Sequence, residues 1–220
     1  MSFFSFFRPS LPAITYAITV CNEHDELELL LSSLIGRIAA RDEIVVLQDV
    51  TVEDQGVTNV IKRYESNLLH VTAKLEGDFA KFKNNLLKYA KGDYLFQIDA
   101  DELPSDYLLT NLAKFLRKNK KVDCYAVSRI NVVDNISADH LTRWNWSQNK
   151  DGYINYPDFQ MRLFKLKGSS EIYWVNKVHE RLTGYNRLMD LPIDDYRFSL
   201  LHRKDIAKQE KQNDFYETIG

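Results

Sequence analysis

No stretch of these 220 residues approaches the roughly 20 consecutive apolar residues that a membrane-crossing helix needs, so a transmembrane segment is not expected. Charge of one sign is lacking as well: 29 Lys and Arg stand against 31 Asp and Glu, a net charge of −2. Wholesale nucleic-acid binding requires a strong basic excess, which this composition excludes, so any anion is bound locally. Cysteine is scarce. Cys21 and Cys124 sit in apolar, strand-like runs without the spacing of a metal knuckle or a disulfide framework, and they read as buried free thiols of a reducing compartment. The 8 glycines never gather into a phosphate-cradling loop, which excludes a P-loop enzyme and a dinucleotide-binding fold. The opening residues carry Phe3, Phe4, Phe6 and Phe7 but no basic stretch at their start. They read as a pre-strand segment packed on the core rather than a signal peptide, with contact to a bilayer surface or a partner as the alternative. The compartment expected from these features is the cytoplasm.

What is present is an ordinary globular composition, 45% hydrophobic and 27% charged, in a length that suits one α/β domain better than two. Apolar, β-branched runs alternate with helical patterns. Residues 14–21 read as a strand that breaks at Asn22-Glu23-His24-Asp25 into a helix ending near residue 38. Residues 43–48 form a strand ending at Asp49, residues 57–64 a helix and residues 70–73 a short strand. A helix over 79–90 is closed by Gly92, and residues 94–98 make the fourth strand. Pro104-Ser105 start a helix over 106–118, followed by a strand over 124–133. This rhythm predicts an α/β fold with a mostly parallel central sheet and helices on both faces. In such sheets ligands bind beyond the carboxyl ends of the strands, where Asn22, Glu23, Asp49 and Asp99 to Asp101 all fall.

After residue 134 the rhythm changes. The polar stretch 134–156 reads as a lid or substrate wall, in which Trp144 and Trp146 either stack on a sugar ring or pack as a loop core. A strand is expected over 159–166. The tail 204–219 is charged and helix-compatible, with Ile206, Phe215 and Ile219 only partly periodic, and it packs on the domain or closes over a ligand.

The apolar run Tyr94-Leu95-Phe96-Gln97-Ile98 ends in Asp99-Ala100-Asp101. Two carboxylates two residues apart on the rim of a strand suit a hard divalent cation and the phosphates it carries. About one or two such triplets arise by chance in a chain this rich in Asp, so the surroundings of the triplet carry the argument.

In the order strand, Asn22-Glu23, strand, Asp49, helix with Lys83-Asn84, strand, Asp99-Ala100-Asp101-Glu102, the chain resembles the family 2 glycosyltransferases of the GT-A fold, a Rossmann-like architecture for nucleotide-diphospho-sugar transfer. Arg162-Leu163-Phe164, then Trp174, then Val178-His179-Glu180 look like the signature of bacterial and viral members that glycosylate lipopolysaccharide cores or other surface glycans. The resemblance spans residues 13–205. It implies one GT-A domain over 1–220, with a nucleotide-sugar-binding half at 1–133, an acceptor-side and catalytic half at 134–203, and a helical tail at 204–220. It also implies that Asp49 accepts a hydrogen bond from the base, usually uracil through its N3–H, that Asp99 contacts ribose or sugar, and that Asp101 binds the metal. Lys83 and Asn84 match polar contacts to the nucleotide, with Lys81 one helical step away as the alternative; Asn22, Glu23 and Ala100 line the same site. The sequence departs from the family at Asp49-Val50-Thr51-Val52-Glu53-Asp54, where many members carry an acidic pair followed by Gly and Ser.

Breaking a sugar-diphosphate bond places negative charge on the leaving diphosphate, which a divalent cation stabilises. Asp101 is the first expected ligand, and Asp99 joins it directly or through water. His202 matches the histidine that completes the metal site in related enzymes, although a histidine after two leucines reads by itself as structural. An oxygen and imidazole shell suits Mn2+, with Mg2+ the alternative. Inverting transfer needs a base, worth about 10² to 10⁴ in rate. Glu180 is the expected one, with His179 orienting it or touching the diphosphate and Asp158 a weaker candidate. Arg162 binds a phosphate or relieves repulsion on the acidic rim, Arg203 and Lys204 hold the diphosphate if the tail folds over it, and Glu102 is an ion-pair or helix-start partner.

The expected activity is metal-dependent inverting transfer of a hexose, glucose by default, from a UDP-sugar to a hydroxyl acceptor such as a glycan. A nucleotidyltransferase is the related alternative, disfavoured by the missing basic, Gly-rich loop after the first strand. A non-catalytic nucleotide- or glycan-binding module is the third reading, and it would have no use for Glu180 together with the acidic triplet.

Overall fold

The computed structural model describes residues 10–168 and 171–211. Phe3, Phe4, Phe6 and Phe7, and Phe215 and Ile219 of the tail, lie outside the described residues, as do the expectations placed on them. In chain order the elements are β1 (Ile14–Val20), α1 (His24–Leu34), β2 (Glu43–Asp49), α2 (Gln55–Arg63), β3 (Leu69–Ala73), α3 (Phe79–Asn84), a 3-10 turn (Asn85–Lys88), β4 (Tyr94–Asp99), β5 (Glu102–Pro104) and α4 (Asp106–Lys118). There follow β6 (Cys124–Asp134), α5 (Ala138–Arg143), β7 (Ile154–Lys165), β8 (Tyr173–Val175), β9 (Arg181–Thr183), β10 (Leu188–Asp190) and β11 (Leu200–Asp205).

β1 is buried along its whole length, Ile14, Tyr16, Ile18 and Val20 in one apolar layer and Ala17 in the other. A strand apolar on both faces belongs in the middle of a covered sheet, and β1 lies there, parallel to β2 on one side and to β4 on the other. The nine-stranded sheet runs β3-β2-β1-β4-β7-β6-β11-β5, with β10 alongside β6. β3 continues the parallel half beyond β2, whereas β7 runs antiparallel to both β4 and β6. Five of its eight strand pairings are parallel, as expected.

α1 presents Leu27, Leu30, Leu31 and Leu34 to the sheet, the one-face spacing of an amphipathic helix. Each leucine buried in this way contributes about 1.5–3 kcal/mol. α2 and α4 join α1 on that face through Val57, Val60, Ile61 and the stripe Leu108, Leu109, Leu112, Leu116. The opposite face is thinner. It is covered by α3, the 3-10 turn and the β8–β9 hairpin, whose Trp174 packs edge-on against Phe164 with ring centroids 5.2 Å apart.

Three sequence expectations change here. The helix over 79–90 gives way at Asn84 to the 3-10 turn, and Gly92 does not cap it. Gly92 is required because β1 passes too close for a side chain: a Cβ there would lie 2.8 Å from Thr15 N and 2.9 Å from Tyr94 O. The tail is not helical from 204, since Lys204 belongs to β11 and helical residues begin at 206. Cys21 is only partly buried, just past the end of β1, while Cys124 is buried as expected; both are free thiols. Among the described residues no helix is long and apolar enough to cross a membrane.

Candidate active site

A cleft of about 870 Å³ opens beyond the carboxyl ends of β1, β2 and β4 and is walled on its far side by β7, the residues before β9, and β11. The register of the sheet sets its floor. Thr19 lies opposite Asp99 across the β1–β4 pairing. Its hydroxyl donates to Asp99 Oδ1 at 2.8 Å, and the Gln97 amide, two residues back on the same face of β4, donates to that oxygen at 2.8 Å.

From β7, Arg162 reaches across the floor. Nη2 donates to Asp99 Oδ2 and to Glu102 Oε1, both at 2.8 Å, and Nη1 donates to Gln97 Oε1 at 2.6 Å. Burial pushes the Asp99 carboxyl upward, but the charges of Arg162 and then Lys83 outweigh it and hold the group well below the usual carboxylate range. Glu102 is fully buried, and there burial wins over Arg162 and raises its pKa. Arg129 stands 3.6 Å from Glu102 and 2.6 Å from Asp158. Lys83 stands 3.7 Å from Asp99 and 2.5 Å from Glu180. The floor is thus a row of alternating charges, Asp158, Arg129, Glu102, Arg162, Asp99, Lys83 and Glu180, in which each acid has a basic neighbour. Arg162 therefore buttresses the acidic rim.

Asp101 is served from β11. Its Oδ2 lies 3.3 Å from His202 Nε2 and 3.3 Å from Lys204 Nζ. Burial raises the Asp101 pKa, but the His202 hydrogen bond and the charges of His202 and Lys204 outweigh it and bring the group below the usual range. His202 Nδ1 stands 2.7 Å from Asn131 Oδ1 and donates to it, which turns Nε2 toward the carboxylate oxygen. A carboxylate oxygen and an imidazole nitrogen that face one another are also a pair of donors suited to a divalent cation. Among the described residues no three His, Cys, Asp or Glu side chains gather to hold a metal on their own. Asp99 does not join Asp101 and His202, because Arg162, Thr19 and Gln97 occupy its oxygens.

At the other end of the cleft Asp49 Oδ1 accepts from Thr51 N at 2.8 Å, Thr51 Oγ1 at 2.6 Å and Leu75 N at 3.1 Å. Three donors on one oxygen fix the carboxylate plane. Cys21 lies beside it; burial and the Asp49 and Glu23 charges push its thiol up to about 11, which keeps it protonated. Glu23 lines the cleft, but its Oε2 accepts from the Cys21 and Asn22 amides at 2.9 and 3.1 Å and so closes the turn after β1.

The cleft brings together Glu23, Asp49, Lys83, Asp99, Ala100, Asp101, Arg162, His179, Glu180 and His202 of the residues singled out in the sequence. Asn22, Asn84 and Arg203 fall elsewhere. Asn22 is exposed on the turn. The Asn84 amide accepts from Trp174 N and donates to Trp174 O, both at 2.9 Å, which pins β8 onto α3. Arg203 points away from the cleft and pairs with Asp134 at 2.7 and 2.8 Å, because side chains alternate along β11. The same alternation places Lys204 on the side of His202, and a two-residue period read from His202 marks it. Asp158 is held by Arg129, Asn131 and Gln160 at 2.6 to 2.9 Å, which makes it a poor base. Arg129, Asn131 and Gln97 carried no motif and were missed.

The sequence model described as glycosyl transferase family 2 matches residues 15–206, nearly the whole sheet and cleft. The chain belongs to this family. Among its relatives is the SPbeta prophage-derived glycosyltransferase SunS of Bacillus subtilis (strain 168), 25% identical over 179 residues. The match takes in 81% of this chain and 37% of the relative, so the chain spans little more than a third of the length of that protein. The glycosyltransferase SunS of Bacillus phage SPbeta matches equally. Residues 1–349 of S. aureus TarS in complex with UDP-GlcNAc superimpose with a TM-score of 0.59 at 17% identity, covering 87% of this family 2 chain and 58% of TarS. That likeness shows the fold, and the GT-A architecture expected from the sequence is the one the chain has.

Proposed function

We propose that this family 2 chain transfers a hexose, glucose by default, from a UDP-sugar to an acceptor hydroxyl with inversion at the anomeric carbon. The observation that carries the reading is one cleft with Asp49, Asp99 and Asp101 on its strand rim and Glu180 facing them from the residue before β9. Residues 1–133 would hold the nucleotide-sugar, residues 134–203 the acceptor and the base, and residues 204–220 the tail. The free Cys21 and Cys124 suit the cytoplasm.

In this reading the fixed Asp49 carboxylate accepts from an N–H of the base, and Asp99, held charged by Arg162, accepts from ribose or sugar hydroxyls. Asp101 and His202 fit a divalent cation that takes its remaining ligands from phosphate oxygens and water, Mn2+ on this donor set with Mg2+ the alternative. Such an ion would neutralise charge on the leaving diphosphate. Glu180 removes the acceptor proton as the hydroxyl oxygen attacks the anomeric carbon, and Trp146 walls the acceptor side.

Incubation with a panel of nucleotide sugars and manganese, with release of nucleoside diphosphate followed, tests this. Release of UDP from one donor, lost in Asp101→Ala and reduced about 10² to 10⁴-fold in Glu180→Gln, is the expected result. Parental rates in Glu180→Gln would overturn the base, and turnover that survives both chelation and Asp101→Ala would overturn the metal.

A further inference from the structure

We propose that Lys83 is a positioning residue that couples donor binding to the unmasking of Glu180, an inference that rests on the reading of Glu180 as the base. Lys83 lies in the last turn of α3 and is only 7% exposed. Its neighbour Lys81 has a side chain that is 69% exposed and pairs with Glu76 on the surface. The Lys83 stem instead crosses into the cleft, where Nζ donates to Glu180 Oε1 at 2.5 Å and lies 3.7 Å from Asp99 Oδ1.

While the Lys83 ammonium donates to Glu180 Oε1 in a charge-assisted hydrogen bond, that oxygen is occupied and an acceptor hydroxyl cannot use it. Without a donor, then, Glu180 is masked. The mask does not come from Glu180 turning away: His179 has φ 53, a left-handed backbone that costs a non-glycine residue about 1–3 kcal/mol, and the residue it aims, Glu180, lines the cleft. A nucleoside diphosphate entering the same cleft brings phosphate oxygens that carry more charge than one carboxylate. The ammonium, on a flexible four-carbon stem with three rotatable protons, is suited to re-aim toward them.

Lys83 leaves Glu180 Oε1 for the diphosphate. The acceptor oxygen then bonds to the anomeric carbon, its proton passes to Glu180, and the bond from the anomeric carbon to the diphosphate oxygen breaks with its electron pair departing on the diphosphate. The device keeps the base satisfied until a donor is present. It also places a cation on the leaving group as charge develops there.

The test is a double-mutant cycle read by UDP binding rather than by activity, with calorimetry in manganese on the parental chain, Glu180→Gln, Lys83→Met and the double variant, each checked for an intact thermal transition. Removing the competing carboxylate should tighten UDP at least about threefold, Lys83→Met should weaken it at least about threefold, and Glu180→Gln should give no tightening in the Lys83→Met background. Unchanged UDP affinity in Glu180→Gln overturns the coupling and needs no lysine variant to do so. Equal tightening in both backgrounds also overturns it, because relief of repulsion between Glu180 and the diphosphate then suffices. Loss of transfer in Glu180→Gln with unchanged UDP affinity would retain the base and remove the coupling, whereas parental transfer in Glu180→Gln would remove the base itself. Failure of the parental chain to bind UDP overturns the donor reading and the coupling with it.

Discussion

Arg162 and Glu102 form an ion pair at 2.8 Å in which the glutamate is fully buried and the arginine only 4% exposed. The same Nη2 holds Asp99, so one guanidinium compensates two acids under the floor of the cleft. Removing it strands both. Arg162→Met is expected to cost about 3–5 kcal/mol, which lowers the melting temperature by at least about 6 °C in a chain of this size. Adding Glu102→Gln should recover part of the loss, since one stranded charge is then gone. Thermal unfolding of the single and double variants checks both statements.

The charge row also sets the response to acid. Burial raises the Asp158 pKa, but the Arg129 charge and hydrogen bonds from Asn131, Gln160 and Arg129 bring it below the ordinary aspartate range. A group depressed in the folded state contributes stability that is fully present above its unfolded pKa and lost as pH falls through the folded one. Melting temperatures of the parental chain should therefore fall as the pH drops below about 4, and those of Asp158→Asn should fall less steeply there while starting lower. Glu102 has the opposite sign: its raised pKa means that its contribution is greatest below 4.5 and declines as pH rises through the folded value.

Much of this was written in the sequence, and the reasons differ by element. The apolar runs of β1, β2 and β4 are buried on both faces, so hydrophobicity alone marked them, and β2 and β4 each end in an aspartate on the cleft. Ser105 announced α4, where its hydroxyl accepts from Leu108 N at 3.0 Å. The contacts that make the floor were not visible. Arg129 and Asn131 come from a strand with no motif, and they meet Glu102 and His202 only because β6 pairs with β11 and β7. Arg203 and Lys204 are both basic and adjacent, so composition does not separate them; the strand period does, with Arg203 on Asp134 and Lys204 on Asp101.

Gly92 shows how a correct residue can carry a wrong reason. Its value lies in the close passage of β1, and its N–H donates to Thr15 Oγ1 at 3.0 Å. The atoms a Cβ would meet are mainly backbone, which yields poorly. Gly92→Ala should cost about 1–3 kcal/mol, seen as a lower urea midpoint with an unchanged slope. A neutral result would assign the glycine to turn formation after all.

After α5, Trp146 packs against Trp144 with centroids 4.8 Å apart, and Trp144 stacks on His140 at 5.2 Å. Only Trp146 of the three lines the cleft. Trp146→Ala is expected to raise the acceptor KM about 3- to 10-fold while UDP affinity stays at the parental value. Initial-rate kinetics at saturating donor and a separate UDP titration distinguish the two. A parallel loss of UDP affinity would move Trp146 to the donor side.

Lys204 occupies the oxygen that a divalent cation on Asp101 would need. Lys204 Nζ stands 3.3 Å from Asp101 Oδ2, the oxygen that also faces His202 Nε2. If Asp101 and His202 hold manganese, the ammonium must withdraw when the ion arrives, so it opposes binding by its own attraction to the carboxylate. Lys204→Met should then tighten Mn2+ at least about threefold, measured by electron paramagnetic resonance without nucleotide. His202→Ala should weaken it, and Asn131→Ala should weaken it about 10- to 100-fold through loss of the Nδ1 partner that orients the ring. Weaker manganese binding in Lys204→Met would show instead that the lysine orients Asp101 for the metal. Binding unaffected by all three substitutions would place the cation away from β11.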